Sequence, residues 1–486
     1  MVEDKCEHTS FTGVSRRSFV AAASVAGAGS VGLAGCLGRG AEEGAVVVYG
    51  DTDFQDIMDP EGELHQALWD AGLDEDITVS VRTGPDETEQ RRSAAQSALQ
   101  AGRSQPDIFM MDSGWTIPFI LREQTVNLDD RLSSDTLGLI ENDYLEAAVE
   151  TARHPETGEL HALPLFPDFG TMQYRQDLAE EAGYDTDDWG TEPMSWQEFS
   201  EVAADVRDDS GVDFGFTTQA AAYEGLACCT FNEVMSTWGG AYFGGLEELF
   251  EAGDRNVTVA EEPVIEAIRM MRTFIRGQED EYALEGFEQI APNAIVQYTE
   301  EDARGPFAAG NVVMHRNWPY SIAIAHDEGM GDDVGMMPMP FGIEEGQAEY
   351  DGIGGTGAAL GGWHLTLNPA SENQEEALRV MDAFATEEVM LTVFAIQGWI
   401  PPIVELLEEA DPEETGPVAE YAETIQIAGE NAVPRPVTDV WPEQSAHIYQ
   451  EVNGTYRGVK SPEEAMSDLA DRLEASEADI GEQDDQ

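Results

Sequence analysis

The sequence predicts an α/β protein with two lobes, each a β-sheet flanked by helices. Its 486 residues exceed what one hydrophobic core supports, because single cores stop growing at roughly 250–300 residues. Strand-like and helix-like segments also alternate along the chain, and this alternation is typical of parallel α/β layers. Two lobes of this class are therefore expected.

The first elements have the pattern of a strand–helix–strand unit. Short β-rich runs bounded by glycine or proline occupy residues 45–50, 77–84 and 106–114. Residues 86–102 are polar with small residues and stop at Gly102, which predicts a helix between the last two strands. A connection of this kind favours parallel pairing of the strands.

Three more helices are predicted further along the chain. Capping boxes at 195–198 (SWQE) and 461–464 (SPEE) each precede apolar residues at helical spacing. Residues 373–396 carry apolar residues on one face, which predicts one long helix. The closing residues 476–486 are mostly acidic and polar, so we expect a frayed acidic tail there.

The N-terminus has the pattern of an export signal. Arg16 and Arg17 precede an uncharged run of small and apolar residues at 20–33. This run of about 14 residues is shorter than the roughly 20 that a membrane-spanning helix needs, and the arginine pair is typical of the twin-arginine export pathway. Residues 1–35 are therefore interpreted as a twin-arginine lipoprotein signal.

The run Leu-Ala-Gly-Cys at 33–36 resembles a lipobox, which is cut before a cysteine that becomes acylated. Cys36 would then carry the lipid, and residues 36–44 would be a tether to the extracellular face of the cytoplasmic membrane. Two or three acyl chains hold a protein stably on a membrane, whereas one holds it only marginally. The alternative is an ordinary cleavable leader with an incidental cysteine.

The charge balance is strongly acidic. The chain has 97 acidic and 24 basic residues, a net charge of −73 at pH 7, and lysine only at Lys5 and Lys460. Low lysine with excess acid is typical of proteins from saturated brine, so a halophilic, haloarchaeal protein is expected. In about 1 M salt the Debye length is about 3 Å, so surface carboxylates barely repel one another. The same charge disfavours nucleic-acid binding, and it makes acidic pairs poor indicators of catalysis.

No metal or cofactor is predicted. The eight histidines lack the spacing of a zinc motif. The run 352–357 satisfies G-x-G-x-x-G, but a strand-like run at 361–367 follows it where a dinucleotide fold needs a helix. We interpret it as a glycine-dense crossing between lobes.

Cys228 and Cys229 lie in an apolar run, and because adjacent cysteines rarely pair, they are interpreted as small buried residues.

Aromatic residues recur beside glycine, proline and polar groups. Sugar rings pack their faces on aromatic side chains, and sugar hydroxyls need polar partners such as aspartate and arginine in a pre-formed concave site. Each aromatic alone is more often a core residue, but together they favour a sugar-binding cleft. The segments are Trp115, 236–243 (STWGGAYF), 315–321 (HRNWPYS), 361–365 (GGWHL) and 434–442 (PRPVTDVWP).

The order of these motifs resembles that of the extracellular solute-binding proteins of ABC importers (family 1), especially the maltose/trehalose type. The resemblance runs from about Val46 to Met466. It covers a strand leading to a sugar-contacting aspartate, two crossings between lobes and a motif that ends at a stacking tryptophan. The matching segments are 106–115, 163–183, 194–199, 307–320, 333–342 and 361–369.

The resemblance implies a substrate-binding role for nine residues. The implied hydrogen-bonding residues are Asp112, Asp168, Arg435 and Asp51, and the implied stacking residues are Trp318, Tyr320, Trp363, Trp115 and Trp238. The segment that follows Asp51 departs from the shorter family pattern. The alternatives are a hinge cap for Asp168 and a surface ion pair for Arg435.

The resemblance also implies a type II periplasmic-binding-protein fold with discontinuous lobes and no catalysis. The protein would capture a mono- to oligosaccharide and, as a monomer, deliver it to permease and ATPase subunits. The implied lobes are 45–162 plus 357–405 and 163–356 plus 406–475, with crossings near 163–170, 355–362 and 400–410.

Two other functions stay open. A secreted glycoside hydrolase would also use aromatic subsites, together with an acid and a base carboxylate about 5 to 9 Å apart. The same fold could instead bind an organic anion, an amine or a metal chelate.

Asn256 and Asn453 each begin an N-x-T sequence, the acceptor pattern for N-glycosylation on an exported protein.

Overall fold

The computed structural model describes residues 45–484, except 86, 87, 251, 254, 351 and 439. The predicted leader (1–35), the tether (36–44) and Cys36 lie outside the described residues. Within the described part of the chain, no helix combines the length and apolarity that crossing a bilayer requires.

The strands form two sheets. The first has the order β10-β9-β3-β1-β2, with β4 also paired to β9, and the second has the order β6-β7-β5-β8. The strands of the first sheet are β1 Val46–Gly50, β2 Val79–Thr83, β3 Ile108–Asp112, β4 Ala162–Phe169, β9 Ala358–Leu367 and β10 Ala432–Val433. Those of the second are β5 Thr171–Arg175, β6 Phe214–Thr217, β7 Val312–Asn317 and β8 Val334–Met337.

Helices cover both sheets. In the first half they are α1 Thr52–Ile57, α2 Glu63–Asp70, α3 Thr88–Gln100, α4 Ser113–Leu121, α5 Ser134–Asn142, α6 Glu146–Glu150, α7 Gln176–Glu181, α8 Trp196–Ser210 and α9 Phe231–Thr237. In the second they are α10 Glu262–Arg276, α11 Glu300–Ala308, α12 Tyr320–Asp327, α13 Gln374–Phe384, α14 Glu387–Gln397, α15 Pro412–Thr415, α16 Ala422–Glu430, α17 Trp441–Tyr456 and α18 Pro462–Asp484. Short 3₁₀ turns occupy Leu246–Leu249, Asn293–Gln297, Gly331–Asp333, Val404–Glu409 and Pro417–Tyr421, and one π-helical turn occupies Leu226–Thr230.

The predicted N-terminal unit is confirmed. Strand β1 pairs in parallel with both β2 and β3, and α3 connects β2 to β3. Ser195 caps α8 by accepting a hydrogen bond from the Glu198 N–H at 3.1 Å, as the capping box predicts. The single long helix predicted for 373–396 is wrong: α13 ends before Thr386, whose extended backbone (ψ 144°) precedes a new helix, α14.

Each sheet has its own hydrophobic core. In the first lobe, the Phe54 ring meets those of Phe384 and Trp399 at 5.9 and 5.7 Å. In the second lobe, Phe199 on α8 meets Phe216 on β6 at 5.2 Å, edge to face. Aromatic pairs of this geometry stabilise a core beyond the area that they bury. A further cluster of buried residues, which includes Phe169, Val312 and Phe394, packs the segment after α14 against the second sheet.

One residue separates the two sheets where the chain first passes between them. Strand β4 ends at Phe169 and β5 begins at Thr171, so Gly170 alone connects them. Strand β4 runs antiparallel to β9, from the Ala162–Thr366 pair to the Phe169–Leu360 pair. The glycine-rich run 352–357 leads directly into β9, as expected for a crossing.

Three expectations for individual residues need correction. The predicted tail 476–486 is helical through Asp484, because the buried Glu477 pairs with Arg255 at 2.6 Å. Cys228 and Cys229 are buried as expected, but a disulfide joins them within the π-helical turn, where their side chains meet. Asn453 is 4% exposed, and its amide donates to the carbonyls of residues 220 and 296. It therefore has no room for a glycan, whereas Asn256 is exposed.

Candidate functional site

Asp112 is held at the carboxyl end of β3. It caps α4, and its Oδ1 accepts a hydrogen bond from the Gly114 N–H at 2.7 Å. A side chain at this position points to where ligands commonly bind in α/β sheets, outside the carboxyl ends of the strands. The residue is 9% exposed, so its remaining oxygen has little access to bulk water.

Arg435 supplies the partner of Asp112 from far along the sequence. Its Nη2 lies 3.1 Å from Asp112 Oδ1, and its Nη1 lies 3.7 Å from Glu224 Oε1. Glu224 in turn accepts a 2.8 Å hydrogen bond from the Trp441 indole N–H. Burial raises the pKa of the Glu224 carboxyl above its usual range. The alternative of a surface ion pair for Arg435 is wrong, since the residue is 6% exposed.

Trp363 lies beside Asp112 on the neighbouring strand. The register of β3 and β9 places Asp112 opposite Trp363. The Trp115 ring meets the Trp363 ring edge to face at 6.1 Å, and the Arg91 guanidinium carbon lies 4.4 Å from the centre of the Trp363 ring. The aromatic group predicted from Trp115 and Trp363 therefore forms in the structure, with a cation over one ring.

Arg91 connects Asp51 to this group. The Arg91 guanidinium Nη1 lies 3.2 Å from Asp51 Oδ2. Asp51 also caps α1, because its Oδ1 accepts from the Phe54 N–H at 2.9 Å. The structure thus brings Asp51 to Trp363 only through Arg91. Sequence reasoning missed Arg91 because it lies in a polar run that indicates a helix and nothing more.

Several buried polar atoms around Trp363 have no hydrogen-bond partner among the described residues. Three are N–H donors, and the fourth is a hydroxyl. They are Arg91 Nε, Trp115 Nε1, Arg435 Nε and Tyr49 Oη. An unsatisfied buried donor costs roughly 1–3 kcal/mol. Most buried polar groups in native proteins are hydrogen-bonded, so each of these four atoms calls for an explanation.

Trp318 and Asp168 form a second group, against Gly361. A Cβ added at Gly361 would lie 3.1 Å from Trp318 Cη2 and 3.6 Å from Asp168 Cβ. The strand register places Asp168 opposite Gly361. Burial raises the pKa of the Asp168 carboxyl to about 7. The Arg316 guanidinium and the hydrogen bond that the carboxyl accepts from the Phe169 N–H act in the opposite direction and lower this pKa. Asp168 accepts from the Phe169 N–H at 3.1 Å, so the alternative of a hinge cap stays open.

Strand β9 joins the two groups. Gly361 carries the contact with Trp318, and Trp363, two residues further on, faces Asp112. Five of the nine predicted residues therefore lie along one stretch of β9 and its neighbours: Asp112, Asp168, Trp318, Trp363 and, by its contact with Trp363, Trp115. Arg435 joins them through Asp112.

Tyr320 and Trp238 have other partners. The Tyr320 hydroxyl donates to Glu301 Oε1 at 2.8 Å, and burial raises the pKa of the phenol. The Trp238 ring packs on Gly342 and lies 6.3 Å from the ring of Phe287, within the second lobe. The structure does not bring Trp238 into contact with the other predicted residues.

A cavity of about 410 Å³ lies elsewhere, between the α5–α6 region and α16. None of the nine predicted residues lines it. Its lining residues are Asn142, Asp143, Tyr144, Leu145, Glu146, Ile403, Val404, Glu405, Gln426, Gly429 and Glu430. Among the residues that the structure describes, no cluster of histidine, cysteine and carboxylate side chains could hold a metal ion.

Comparison with known proteins identifies the family. Residues 70–422 match the family described as bacterial extracellular solute-binding protein. The chain belongs to this family of solute-binding proteins. This solute-binding protein is 26% identical to a probable ABC transporter-binding protein of Deinococcus radiodurans, over 74% of this chain and 77% of the relative.

Two further comparisons bear on fold and ligand. This solute-binding protein is 22% identical to a probable amino-acid ABC transporter periplasmic-binding protein of Sinorhizobium fredii, covering 69% of this chain and 68% of the relative. It superposes on the maltose-bound MalE3 of T. maritima with a TM-score of 0.69 and 25% identity, over 88% of this chain and 99% of that one. The predicted two-lobed type II fold is confirmed. The family is described as extracellular solute-binding, and the Deinococcus radiodurans relative as a probable ABC transporter-binding protein.

Proposed function

We propose that this solute-binding protein captures a neutral sugar, from a monosaccharide to a short oligosaccharide, and delivers it to an ABC permease and ATPase. The observation that carries the proposal is the set of buried, unpartnered donors around Trp363: Arg91 Nε, Trp115 Nε1 and Arg435 Nε. Sugar hydroxyl oxygens would accept from these donors, while sugar C–H faces would pack on the rings.

The charges of the site favour a neutral ligand. Each arginine already has an aspartate partner, since Arg91 pairs with Asp51 and Arg435 with Asp112. Each pair is neutral as a unit, yet it offers both N–H donors and carboxylate acceptors. A hydroxyl group donates and accepts at once, so neighbouring hydroxyls suit such a pair.

Two separate groups of residues would contact the ligand. Asp112, Trp363 and Arg435 form one, and Trp318 with Asp168 forms the other. We propose that the lobes follow the two sheets, with β4 (162–169) and β10 (432–433) in the first lobe and the crossing at Gly170, rather than the bounds expected from the sequence; Trp318 and Trp363 would then lie on opposite sides of the cleft. A ligand that contacts both sides binds the closed form more tightly, and it shifts the hinge equilibrium by that difference in affinity.

Export and anchoring complete the proposal. The arginine pair at 16–17 and the Leu-Ala-Gly-Cys run at 33–36 support export by the twin-arginine pathway and acylation at Cys36. The protein would then work as a monomer on the outer face of the cytoplasmic membrane. The excess of acids supports function in concentrated brine.

The rival ligand is an amino acid, favoured by the name of the Sinorhizobium fredii relative. An amino acid carries a separate carboxylate and ammonium group, and each needs a counter-charge of its own. Arg91 and Arg435 are both already paired with aspartates. The site therefore favours the sugar over the amino acid.

A thermal-shift screen in multimolar potassium chloride tests the proposal. The panel is maltose, trehalose, glucose and mannitol against leucine, glutamate and a polyamine. A sugar present at 100 times its dissociation constant should raise the unfolding free energy by about 2.7 kcal/mol. Stabilisation by leucine or glutamate alone would overturn the sugar proposal, and release of shorter sugars from maltose oligosaccharides at catalytic rates would favour the glycoside hydrolase.

A further inference from the structure

A buried ion pair lies directly beneath the second group of site residues. The Arg316 Nε donates to Glu233 Oε2 at 2.8 Å, and its Nη2 contacts Glu233 Oε1. The side chains are 1% and 0% exposed, respectively. The Gln219 side-chain oxygen, 3.4 Å from Arg316 Nη1, is a weak third partner.

The pair contacts both strands that pass between the lobes. Gly170 is the single residue between β4 and β5, and a Cβ there would overlap both the Glu233 carboxylate and the Arg316 guanidinium. The Ala359 N–H, near the start of β9, donates to Glu233 Oε1 at 3.0 Å. One carboxylate is therefore packed on one crossing and hydrogen-bonded to the other.

The same pair also supports an aromatic residue of the site. The Arg316 guanidinium carbon lies 4.3 Å from the centre of the Trp318 ring. Arg316 lies in β7, and Trp318 follows one residue after the end of that strand. Trp318 packs on Gly361, which is two residues from Ala359 along β9. The contacts thus run from the tryptophan through the ion pair to both crossings.

Stability alone is a weak reason for such a pair. Removing two charges from water is costly, and well-packed apolar residues of similar volume often stabilise a core as well or better. A guanidinium fixed by two hydrogen bonds to one carboxylate does, however, hold a planar cation in one orientation. The Trp318 ring lies against this fixed guanidinium.

We propose that Glu233 and Arg316 are positioning residues that hold Trp318 for stacking and couple its occupancy to the two hinge strands. The coupling to ligand rests on the proposed sugar-binding function, whereas the positioning of Trp318 does not. When a ring stacks on Trp318, a shift of the indole would move Arg316 and, with it, Glu233. The packing of Glu233 against Gly170 and its hydrogen bond from Ala359 would then change. Neither residue touches the ligand.

The main test uses Arg316→Lys, which keeps the charge but loses the planar fork. Its matched control is Arg272→Lys, since Arg272 forms a buried ion pair with Asp280 at 2.7 Å, and its Nη1 donates to the carbonyls of residues 455 and 460. Two ligand-free measurements come first: the near-ultraviolet circular dichroism band of Trp318, defined by subtracting the spectrum of Trp318→Phe, and the radius of gyration from small-angle X-ray scattering in brine.

The expected result is a loss of the Trp318 band and a shift in radius of gyration for Arg316→Lys but not for Arg272→Lys. An unchanged band and radius in both variants would overturn the proposal, whatever the ligand proves to be. If Arg316→Lys does not fold, Glu233→Gln keeps the volume and the acceptor for Ala359, and the same two readouts apply to it.

A double-mutant cycle with maltose then tests the coupling. Arg316→Lys should weaken maltose binding by about 10-fold in the wild-type background but by less than about 2-fold when Trp318 is already leucine, because residues that act through one contact are not additive. Equal weakening in both backgrounds would overturn the coupling. If the wild type binds no sugar at all, the proposed function fails, and the ligand-free measurements still decide the positioning.

Discussion

Arg435 and Asp112 form an ion pair with 3.1 Å between Nη2 and Oδ1, although 323 positions separate them in the sequence. The pair ties the segment after β10 to the carboxyl end of β3. The Arg435 Nε–H is buried and has no partner among the described residues; under the proposed function, a ligand oxygen would accept from it. Breaking a buried ion pair of this kind is strongly destabilising, because removing one partner leaves the charge of the other uncompensated.

The first prediction concerns this pair. Replacing Arg435 with methionine keeps most of the stem but removes the donors, and we expect sugar affinity to fall by roughly 10- to 100-fold, since a hydrogen bond to a charged group is worth about 1.5–3 kcal/mol. Isothermal titration in brine measures the effect. Arg379→Met is the control, because Arg379 and its partner Asp74 are 55% and 61% exposed. Unchanged affinity in Arg435→Met would remove Arg435 from the site.

The second prediction compares three tryptophans. Trp318→Ala and Trp363→Ala should each weaken sugar binding by roughly 10-fold, in line with about 1 kcal/mol or more per aromatic contact. Trp238→Ala should leave affinity nearly unchanged, because that ring packs on Gly342 within the second lobe. Equal losses in all three would show that the losses come from general destabilisation, so the melting temperature of each variant is measured alongside.

The third prediction concerns pH. Burial raises the pKa of Asp168 to about 7, so between about pH 4 and pH 7 the folded protein binds more protons at this carboxyl than the unfolded chain does. Its contribution to stability is therefore complete below about pH 4 and is lost as the pH rises through about 7. Asp168→Asn should remove this dependence.

Denaturant unfolding at constant salt checks the sign. From about pH 4 to about pH 8, the Asp168→Asn protein should gain unfolding free energy relative to wild type, and the gain should level off above about pH 7. Asp130→Asn, at an exposed position, is the control and should follow the wild-type curve. Parallel curves for wild type and Asp168→Asn would contradict the raised pKa.

The fourth prediction concerns the C-terminal helix. Glu477→Gln should lower the unfolding free energy by about 3 kcal/mol, because breaking a buried ion pair leaves an uncompensated charge, here on Arg255. Deleting 476–486 should have at least as large an effect. Asp74→Asn, in an exposed pair with Arg379, should cost less than about 1 kcal/mol. A stable deletion variant would restore the interpretation of this segment as a loose tail.

The fifth prediction concerns salt. Lowering the ionic strength from about 1 M to about 0.1 M lengthens the Debye length from about 3 to about 10 Å, so repulsion among the 97 acidic residues should lower the melting temperature. Sucrose at matched osmolality does not screen charge, and it should restore only part of the loss. A melting temperature independent of salt would contradict the halophilic interpretation.

Local patterns predicted the elements well, and distant contacts explain the errors. The strands β1, β2 and β3 and helix α3 follow from runs of a few residues. The tail was misjudged because the partner of Glu477 is Arg255, 222 positions away. The same reason hid Arg91, whose contacts are with Asp51 and Trp363.

The site followed the same rule. Trp318 and Trp363 stand in recognisable motifs; Trp363 lies on β9, and Trp318 packs against Gly361 of the same strand. Glu233 gave no signal, since its partner Arg316 is 83 positions away. Arg316 lies only two residues before Trp318, but the sequence does not show that its guanidinium lies over the Trp318 ring.

The single-residue link at Gly170 limits the motion that the two sheets can make. One residue spans at most about 3.6 Å, and the space around Gly170 is filled by Glu233 and Arg316. The link therefore permits rotation of one sheet relative to the other at Gly170, but it does not permit the two sheets to move apart at that point. Under the proposed function, a change in the distance between Trp318 and Trp363 would therefore come from rotation about Gly170 and not from separation of the two sheets.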